Sequence, residues 1–349
     1  MLKVQFNCPA QYGMRLASLA CWSATNTCLH RTLKGARLPG WNWAIEIGTG
    51  ILRAHLATAF KLPSVIESRL YMDSVVLNFP ALSDVSITPV TSETTRGSWF
   101  VPRKAAPTVT LLYFHGGGYS FYPKAHANLS ALITLAAQSR TFVLDYRLSP
   151  EYRFPAQIED AHGAYRWLLD NGTNPNELVV GGDSAGGNLA IAFLLLARDL
   201  KLPLPKLVFA LSPPTDFEAP IESDGSCTSL VSNEAYDWLD RTMLLQWADW
   251  FCHPNQRQDP YVSPVYADLR DISPIYIQAG RAEILYDSIA AFASLAKRQG
   301  ANVVLESWAD MNHDFQVFGY EAPQSTEALR CLGEVIDQHV RELKPTPTL

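Results

Sequence analysis

The stretch Val179-Val180-Gly181-Gly182-Asp183-Ser184-Ala185-Gly186-Gly187-Asn188-Leu189-Ala190 constrains this chain more than any other. An apolar strand runs into a serine flanked by small residues, and a helix-forming run follows at once. A side chain presented at such a junction needs a sharp turn with little bulk on either side, which Gly182 and Gly186 supply. The turn strains the serine backbone and leaves the first N–H groups of the helix aimed at any negative charge in front of them. Ser184 is therefore a candidate nucleophile. An ordinary glycine-rich helix start is the competing reading of the same residues.

The surrounding pattern sets the fold class. Helical spacing over 125–137, 158–169, 185–197 and 288–298 alternates with apolar strands at 141–145, 178–181, 207–211, 274–278 and 303–308, and a last helix runs from 325 to about 343. Strand and helix at this interval predict an α/β protein with a mostly parallel, doubly wound sheet. The run 108–114 is nearly all β-branched, leucine or aromatic and suits the buried middle of that sheet. Ahead of it, runs at 74–79, 84–90 and 97–101 predict antiparallel strands that open the sheet.

Two regions stand outside the rhythm. Residues 1–70 show helix-like apolar spacing, clearest from Trp41 to Phe60, and predict a helical cap region packed on the body. A lid, a dimer face or a lipid-touching surface are the alternatives, so a homodimer is left open. Residues 212–260 begin Pro- and Asp-rich and end in an aromatic helix-like run. They predict a cap insertion over the carboxyl ends of the strands, with Tyr119, Trp238 and Trp247 as candidate walls of an apolar pocket. The main α/β core is then expected at 71–211 and 261–343, with 344–349 a frayed tail.

Composition narrows the function. A chain of 349 residues with 48% hydrophobic and 18% charged residues suits a folded globular protein rather than a disordered one. A net charge of −6 gives no support for nucleic-acid binding. The six cysteines, Cys8, Cys21, Cys28, Cys227, Cys252 and Cys331, show no close pair and no zinc-site spacing, and read as scattered thiols. No apolar run is long enough for a membrane span, and the N-terminus lacks a compact basic region followed by an apolar core. A cytoplasmic protein is expected, with secretion as the alternative.

A serine hydroxyl needs a base for its proton, and the base needs an acid to fix its tautomer. Of the eight histidines, His313 lies directly after the strand ending near Trp308, whereas His115 precedes the nucleophile and suits a loop brace. The acid candidates after the strand 274–278 are Glu283, early in the loop, and Asp287, which falls in the first turn of the next helix. Asp310 and Asp314 flank His313 in sequence, which is no reason for either to face its ring. Upstream, His115-Gly116-Gly117-Gly118 closes the central strand, and such a glycine run presents backbone N–H groups to an anion with no side chain in the way.

The pairing of His115-Gly116-Gly117-Gly118 with Gly182-Asp183-Ser184-Ala185-Gly186-Gly187 resembles the hormone-sensitive-lipase-like esterases of the α/β-hydrolase fold, the bacterial family IV or GDXG group. Further matches are Asp145-Tyr146-Arg147-Leu148-Ser149-Pro150-Glu151, Phe154-Pro155-Ala156 and Asp160-Ala161, so the resemblance covers roughly 73–340. It implies hydrolysis of carboxylic esters, often with short or medium acyl groups. It makes Ser184 the nucleophile, His313 the base and the N–H groups of Gly117, Gly118 and Ala185 the oxyanion hole, with Gly116 shaping the turn and His115, Asp183, Gly182 and Gly186 in support. The acid falls on Glu283, where the family more often has Asp. The expected partner is a small-molecule ester, with no metal or organic cofactor. A lipase on longer glycerides, an amidase or arylformamidase-like hydrolase, and a non-catalytic binding module are the alternatives.

Overall fold

A computed structural model describes residues 3–6, 10–107, 109–218 and 229–341. Cys8, residues 219–228 of the 212–260 insertion with Cys227 among them, and the 344–349 tail lie outside the described residues.

The sheet is assembled from strands that have no polar face. β5 (Val109–Phe114), β7 (Leu178–Asp183), β8 (Leu207–Leu211) and β9 (Ile275–Gly280) are buried along their whole lengths. A strand buried on both faces needs helices on both. Leu112 and Phe114 of β5, with Val180 and Val208, pack toward α5 (Ala156–Asp170) and α6 (Ala185–Asp199). The intervening Leu111 and Tyr113, with Val179 and Phe209, pack toward α4 (Ala127–Ala136) and the C-terminal helix α10 (Pro323–Arg341). The period of two thus splits the core into two layers, and each fully buried Leu, Val or Phe contributes roughly 1.5–3 kcal/mol.

With β6 (Ser139–Leu144), β10 (Val303–Trp308), β3 (Val85–Thr91) and β4 (Arg96–Pro102), the sheet has eight strands in the order β10-β9-β8-β7-β5-β6-β4-β3. Pairing is parallel from β10 to β6 and antiparallel from β6 to β3. One predicted strand goes elsewhere: β2 (Val75–Asn78) pairs antiparallel with β1 (Lys3–Phe6) in a separate two-stranded sheet. A 3₁₀ turn at Pro80–Asp84 separates it from β3, and the Phe79 N–H is tied to the Asn128 side chain at 2.8 Å, so the chain changes direction there.

Three N-terminal helices form a cap: α1 (Ala10–Lys34), α2 (Trp43–Ala59) and α3 (Val65–Met72). Asn42 caps α2 through Ile45 N at 2.9 Å, and Ser64 caps α3 through Glu67 N at 3.2 Å. α2 is the covered one, with Ile45, Leu56 and Ala59 buried. The insertion supplies the short helix α7 (Ser229–Ser232) and α8 (Arg241–Phe251), whose buried Met243, Leu244, Trp247, Ala248 and Phe251 follow helical spacing. The two regions meet where Phe60, just past α2, stacks on Trp250 at 5.7 Å and meets Trp247 edge-on at 5.0 Å. Among the described residues no helix is long and apolar enough to cross a membrane.

Candidate active site

Parallel register assembles the site. Phe114 pairs with Gly182 across β5 and β7, so the loop 115–118 leaves the sheet beside Ser184. Asp183 pairs with Leu211, and Gly280 with Trp308, which brings the exits of β8, β9 and β10 to the same edge. Ser184, Ser212, Glu283 and His313 all follow carboxyl ends of strands. This is where open α/β sheets bind ligands.

Ser184 has φ 49° and ψ −122°, a backbone that an L-residue adopts only when its surroundings impose it. The chain passes so closely there that a Cβ on Gly182 would lie 2.4 Å from Gly186, and one on Gly186 would lie 1.9 Å from the Phe114 carbonyl oxygen. The strained turn points Ser184 Oγ at His313 Nε2, 3.0 Å away. Among the described residues the N–H groups of Gly117, Gly118 and Ala185 have no hydrogen-bond partner. The Gly116 N–H is already taken, donating to Asp183 Oδ1 at 3.1 Å.

His313 is buried and held from several sides. The Trp238 indole N–H donates to the His313 carbonyl at 2.6 Å, and the neighbouring Asn312 amide donates to Thr49 of the cap at 2.8 Å. Glu283 Oε2 lies 3.9 Å from His313 Nδ1, too far for a hydrogen bond, and both Nδ1 and Glu283 Oε1 lack partners. The Ser212 hydroxyl donates to Glu283 Oε2 at 2.6 Å. Asp287 accepts from Ser229 N at 2.8 Å, pinning α7 to helix α9 (Tyr286–Arg298).

Three further side chains belong to the site: Asp237 and Ser212, which nothing in their sequence setting marks, and Asp314, which is not expected from sequence to face the ring and does. Asp314 has φ 44°, and this left-handed turn brings its Oδ2 to 3.2 Å from His313 Nε2. Asp237 is buried in the insertion and accepts from Ile284 N and Trp238 N, both at 2.7 Å, tying the insertion to the Glu283 loop. Ser212 has φ 44°; besides serving Glu283, its hydroxyl accepts from Asp314 N at 3.0 Å. Positive φ at two non-glycine residues is their common trait, and no residue type announces it.

The electrostatics follow from this crowding. Burial alone would push His313 down, but the Asp314 carboxylate, then Glu283 and Asp237, hold it up at about 9. Burial pushes the Glu283 carboxyl above the ordinary range, with Asp237 and Asp314 adding to the rise and His313 opposing it. Behind the nucleophile, burial works against the Asp183 charge, yet His126 and the hydroxyl of Tyr113 hold its carboxyl below the ordinary value. His126 Nε2 lies 3.0 Å from Asp183 Oδ1. His115 is pushed down to about 3 by burial and is stacked between Tyr122 at 3.7 Å and Tyr146 at 4.1 Å. As a neutral ring it donates from Nδ1 to the Gly116 carbonyl at 2.7 Å, bracing the glycine run.

A cleft of about 450 Å³, counting its open mouth, lies in front of Ser184. Its walls include Tyr119, Phe217, Leu239, Leu244 and Trp247. Trp238, expected as a third aromatic wall, is not among the lining residues, because its indole is turned to the His313 carbonyl. A Cβ on Gly118 would lie 2.3 Å from the Trp247 ring, so the glycine run and the cleft wall are in contact. Among the described residues no group of three or more His, Cys, Asp or Glu side chains is arranged to hold a metal ion.

A serine on a strained strand-to-helix turn, an imidazole at its hydroxyl and unpaired N–H groups beside it, at the carboxyl edge of a parallel sheet, define a serine hydrolase. The chain belongs to the α/β-hydrolase fold family, whose model matches residues 111–317, and within it to the bacterial hormone-sensitive-lipase-like esterases. It is 35% identical over 225 residues to an acetyl-hydrolase of Streptomyces hygroscopicus, covering 64% of this chain and 74% of that one. It is 30% identical over 293 residues to the carboxylesterase NlhH of Mycobacterium tuberculosis, covering 80% and 86%. The solved structure of an esterase from the bacterial hormone-sensitive lipase family superposes with a TM-score of 0.76 at 30% identity, covering 86% of this chain and 99% of that one. The protein is a serine esterase, a hydrolase of carboxylic esters.

Proposed function

We propose that Ser184 is the nucleophile, His313 the general base and Glu283 the acid that orients it, acting on esters with a short to medium acyl group and an apolar or aromatic moiety. The observation that carries this reading is the 3.0 Å approach of Ser184 Oγ to His313 Nε2 beside three unpaired N–H groups. Ser184 Oγ attacks the ester carbonyl carbon while His313 Nε2 takes its proton. The carbonyl oxygen becomes an oxyanion that accepts from the N–H groups of Gly117, Gly118 and Ala185, each worth roughly 3–4 kcal/mol of transition-state stabilisation. The tetrahedral centre collapses as the C–O bond to the alcohol breaks, and His313 returns the proton to the leaving oxygen. Water then repeats the sequence on the acyl-enzyme and releases the acid.

Glu283 is preferred over Asp314 by the nitrogen each one faces. Asp314 approaches Nε2, which must accept the serine proton, so it cannot hold the tautomer that carries its hydrogen on Nδ1. Glu283 faces Nδ1, and a closure of about 1 Å from the present 3.9 Å between Oε2 and Nδ1 makes the hydrogen bond that Nδ1 lacks. Catalytic hydrogen bonds of this kind tighten when substrate is bound. Short acyl groups are favoured by a cleft whose wall, Trp247, touches the oxyanion loop, and by the similarity to an acetyl-hydrolase. Residues 1–70 and 212–260 act together as the cap, joined through Phe60, Trp247 and Trp250. The test is a series of p-nitrophenyl esters of rising acyl length, with Ser184→Ala as control. Turnover is expected to be highest for acetate to hexanoate and abolished by the substitution; near-full turnover by the variant refutes the assignment.

A further inference from the structure

Helix α1 keeps few of its large apolar side chains on its covered face. Its face toward α2 holds Leu16 but also buried Ser23 and Thr27. The Ser23 hydroxyl donates to the Ile47 carbonyl at 2.9 Å, and Gly50 packs so tightly that a Cβ there would lie 2.3 Å from Ser23 Oγ. The outward face carries the large apolar side chains instead: Met14, Trp22, Leu29 and Leu33 are 69%, 58%, 59% and 71% exposed. Between Met14 and Leu33 the exposed positions include a single charged residue, Arg15. Helix α3 adds Ile66 and Leu70, each 62% exposed, and adjoins α1 where Tyr71 meets Tyr12 edge-on at 5.3 Å. Burying such side chains is worth roughly 1.5–3 kcal/mol each, so leaving this many outward on adjoining helices calls for an apolar neighbour.

Charge says which neighbour. Residues 1–70 hold eight Lys or Arg and two Glu with no Asp, a local charge of +6 in a chain whose total is −6. Arg31 and Arg37 are committed to buried Glu46, and Arg69 to Glu151. Arg15, Lys34, Arg53 and Lys61 have no carboxylate partner among the described residues. A second copy of this face would bring like charges together, whereas an anionic bilayer complements both its apolar and its basic parts. The lipid-touching alternative does not suit Trp41 to Phe60, because α2 is covered.

We propose that the outward face of α1, with α3 beside it, docks on an anionic lipid surface. Trp22, Leu29 and Leu33 enter the headgroup boundary, and Arg15 and Lys34 pair with lipid phosphates. The inference stands apart from the assignment of the catalytic side chains. Its consequence is positional: Phe60 links the cap to Trp247 of the cleft, so docking holds the cleft close to a phase in which apolar esters concentrate.

The test is flotation of the purified full chain with vesicles of equal parts phosphatidylglycerol and phosphatidylcholine, against phosphatidylcholine alone. Wild type is expected to float with the anionic vesicles, and roughly tenfold less with the neutral ones or in high salt. The triple variant Trp22→Glu, Leu29→Glu, Leu33→Glu is expected to stay at the bottom while keeping wild-type hydrolysis of p-nitrophenyl acetate without vesicles, and Arg15→Glu with Lys34→Glu to lose most of the binding. Failure of wild type to float, or flotation of the triple variant like wild type, overturns the proposal. So does a dimer in sedimentation that the triple variant dissociates with no vesicle binding in either protein, which assigns the face to a second copy.

Discussion

Two of the site's carboxylate–histidine pairs, one behind the nucleophile and one in front of it, are built differently. Asp183 and His126, behind the nucleophile, are in contact at 3.0 Å, and Asp183 also accepts from the Tyr113 hydroxyl and the Gly116 N–H. Glu283 and His313, in front of it, stand 3.9 Å apart with an unpaired atom on each side. The rear pair is in direct contact, leaves only Asp183 Oδ2 without a hydrogen bond, and fixes the start of the glycine run. The front pair leaves bonding capacity unused at the one place where a proton has to move. A buried group without a partner costs about 1–3 kcal/mol, so the fold tolerates at His313 what it avoids at His126.

Substitutions separate the two pairs. The largest effect on catalysis is expected for His313→Asn, with a fall in kcat of roughly 10⁴ or more and little change in melting temperature. His126→Asn is expected to do the reverse: breaking a buried pair costs roughly 3–5 kcal/mol of stability, read as a lower melting temperature. That cost depends on pH. The raised pKa of His126 stabilises the fold fully below roughly pH 6.5 and is lost as pH rises through its folded value. The lowered pKa of Asp183 stabilises above roughly pH 4 and is lost as pH falls through its folded value. The melting-temperature gap between variant and wild type is therefore expected to be widest in mildly acidic solution; a gap constant from there to alkaline pH would count against the pair.

Glu283→Gln comes next, with an expected loss in kcat of roughly 10²–10⁴ because the imidazole loses its orienting anion. If this variant keeps wild-type kcat while Asp314→Asn collapses it, the roles of the two acids are reversed. On the present reading Asp314→Asn has a milder effect, on pH dependence. His313 must be neutral to accept the serine proton, and the Asp314 carboxylate is the leading cause that holds its pKa up at about 9. Removing that anion lowers the pKa, so the acid limb of the kcat/KM profile is expected to move to lower pH. An unmoved limb would show that Asp314 does not act on the ring. The smallest change is expected for Ser212→Ala, roughly tenfold in kcat/KM, through loss of one hydrogen bond to a charged group.

Much of this was legible in the sequence because it rests on periodicity and chain order. Runs such as β5 and β8 have no polar face, and the sheet order that follows brings the loops after β5, β7, β9 and β10 to one edge. Ser184, Glu283 and His313 can be singled out from their places after strands. The parts that could not be read depend on backbone turns and long-range contact. Asp314 and Ser212 reach the site through positive φ, Asp237 through the folding-back of the insertion, and His126 because α4 begins beside the end of β7. The strand at 74–79 reads correctly as a strand, but its partner is β1, and a local pattern carries no information about its partner. The apolar spacing that is clearest from Trp41 to Phe60 marks the helix that the body covers, whereas the outward apolar residues of α1 have no partner among the described residues from which a local pattern could be read.

The most direct measurement is the site of covalent modification by phenylmethanesulfonyl fluoride, which labels an activated serine oxygen. Peptide mass spectrometry is expected to find the sulfonyl group on Ser184, with labelling lost in Ser184→Ala and strongly slowed in His313→Asn. Stoichiometric labelling of another residue with concurrent loss of esterase activity, or an unlabelled Ser184 in an inactivated enzyme, would contradict the account.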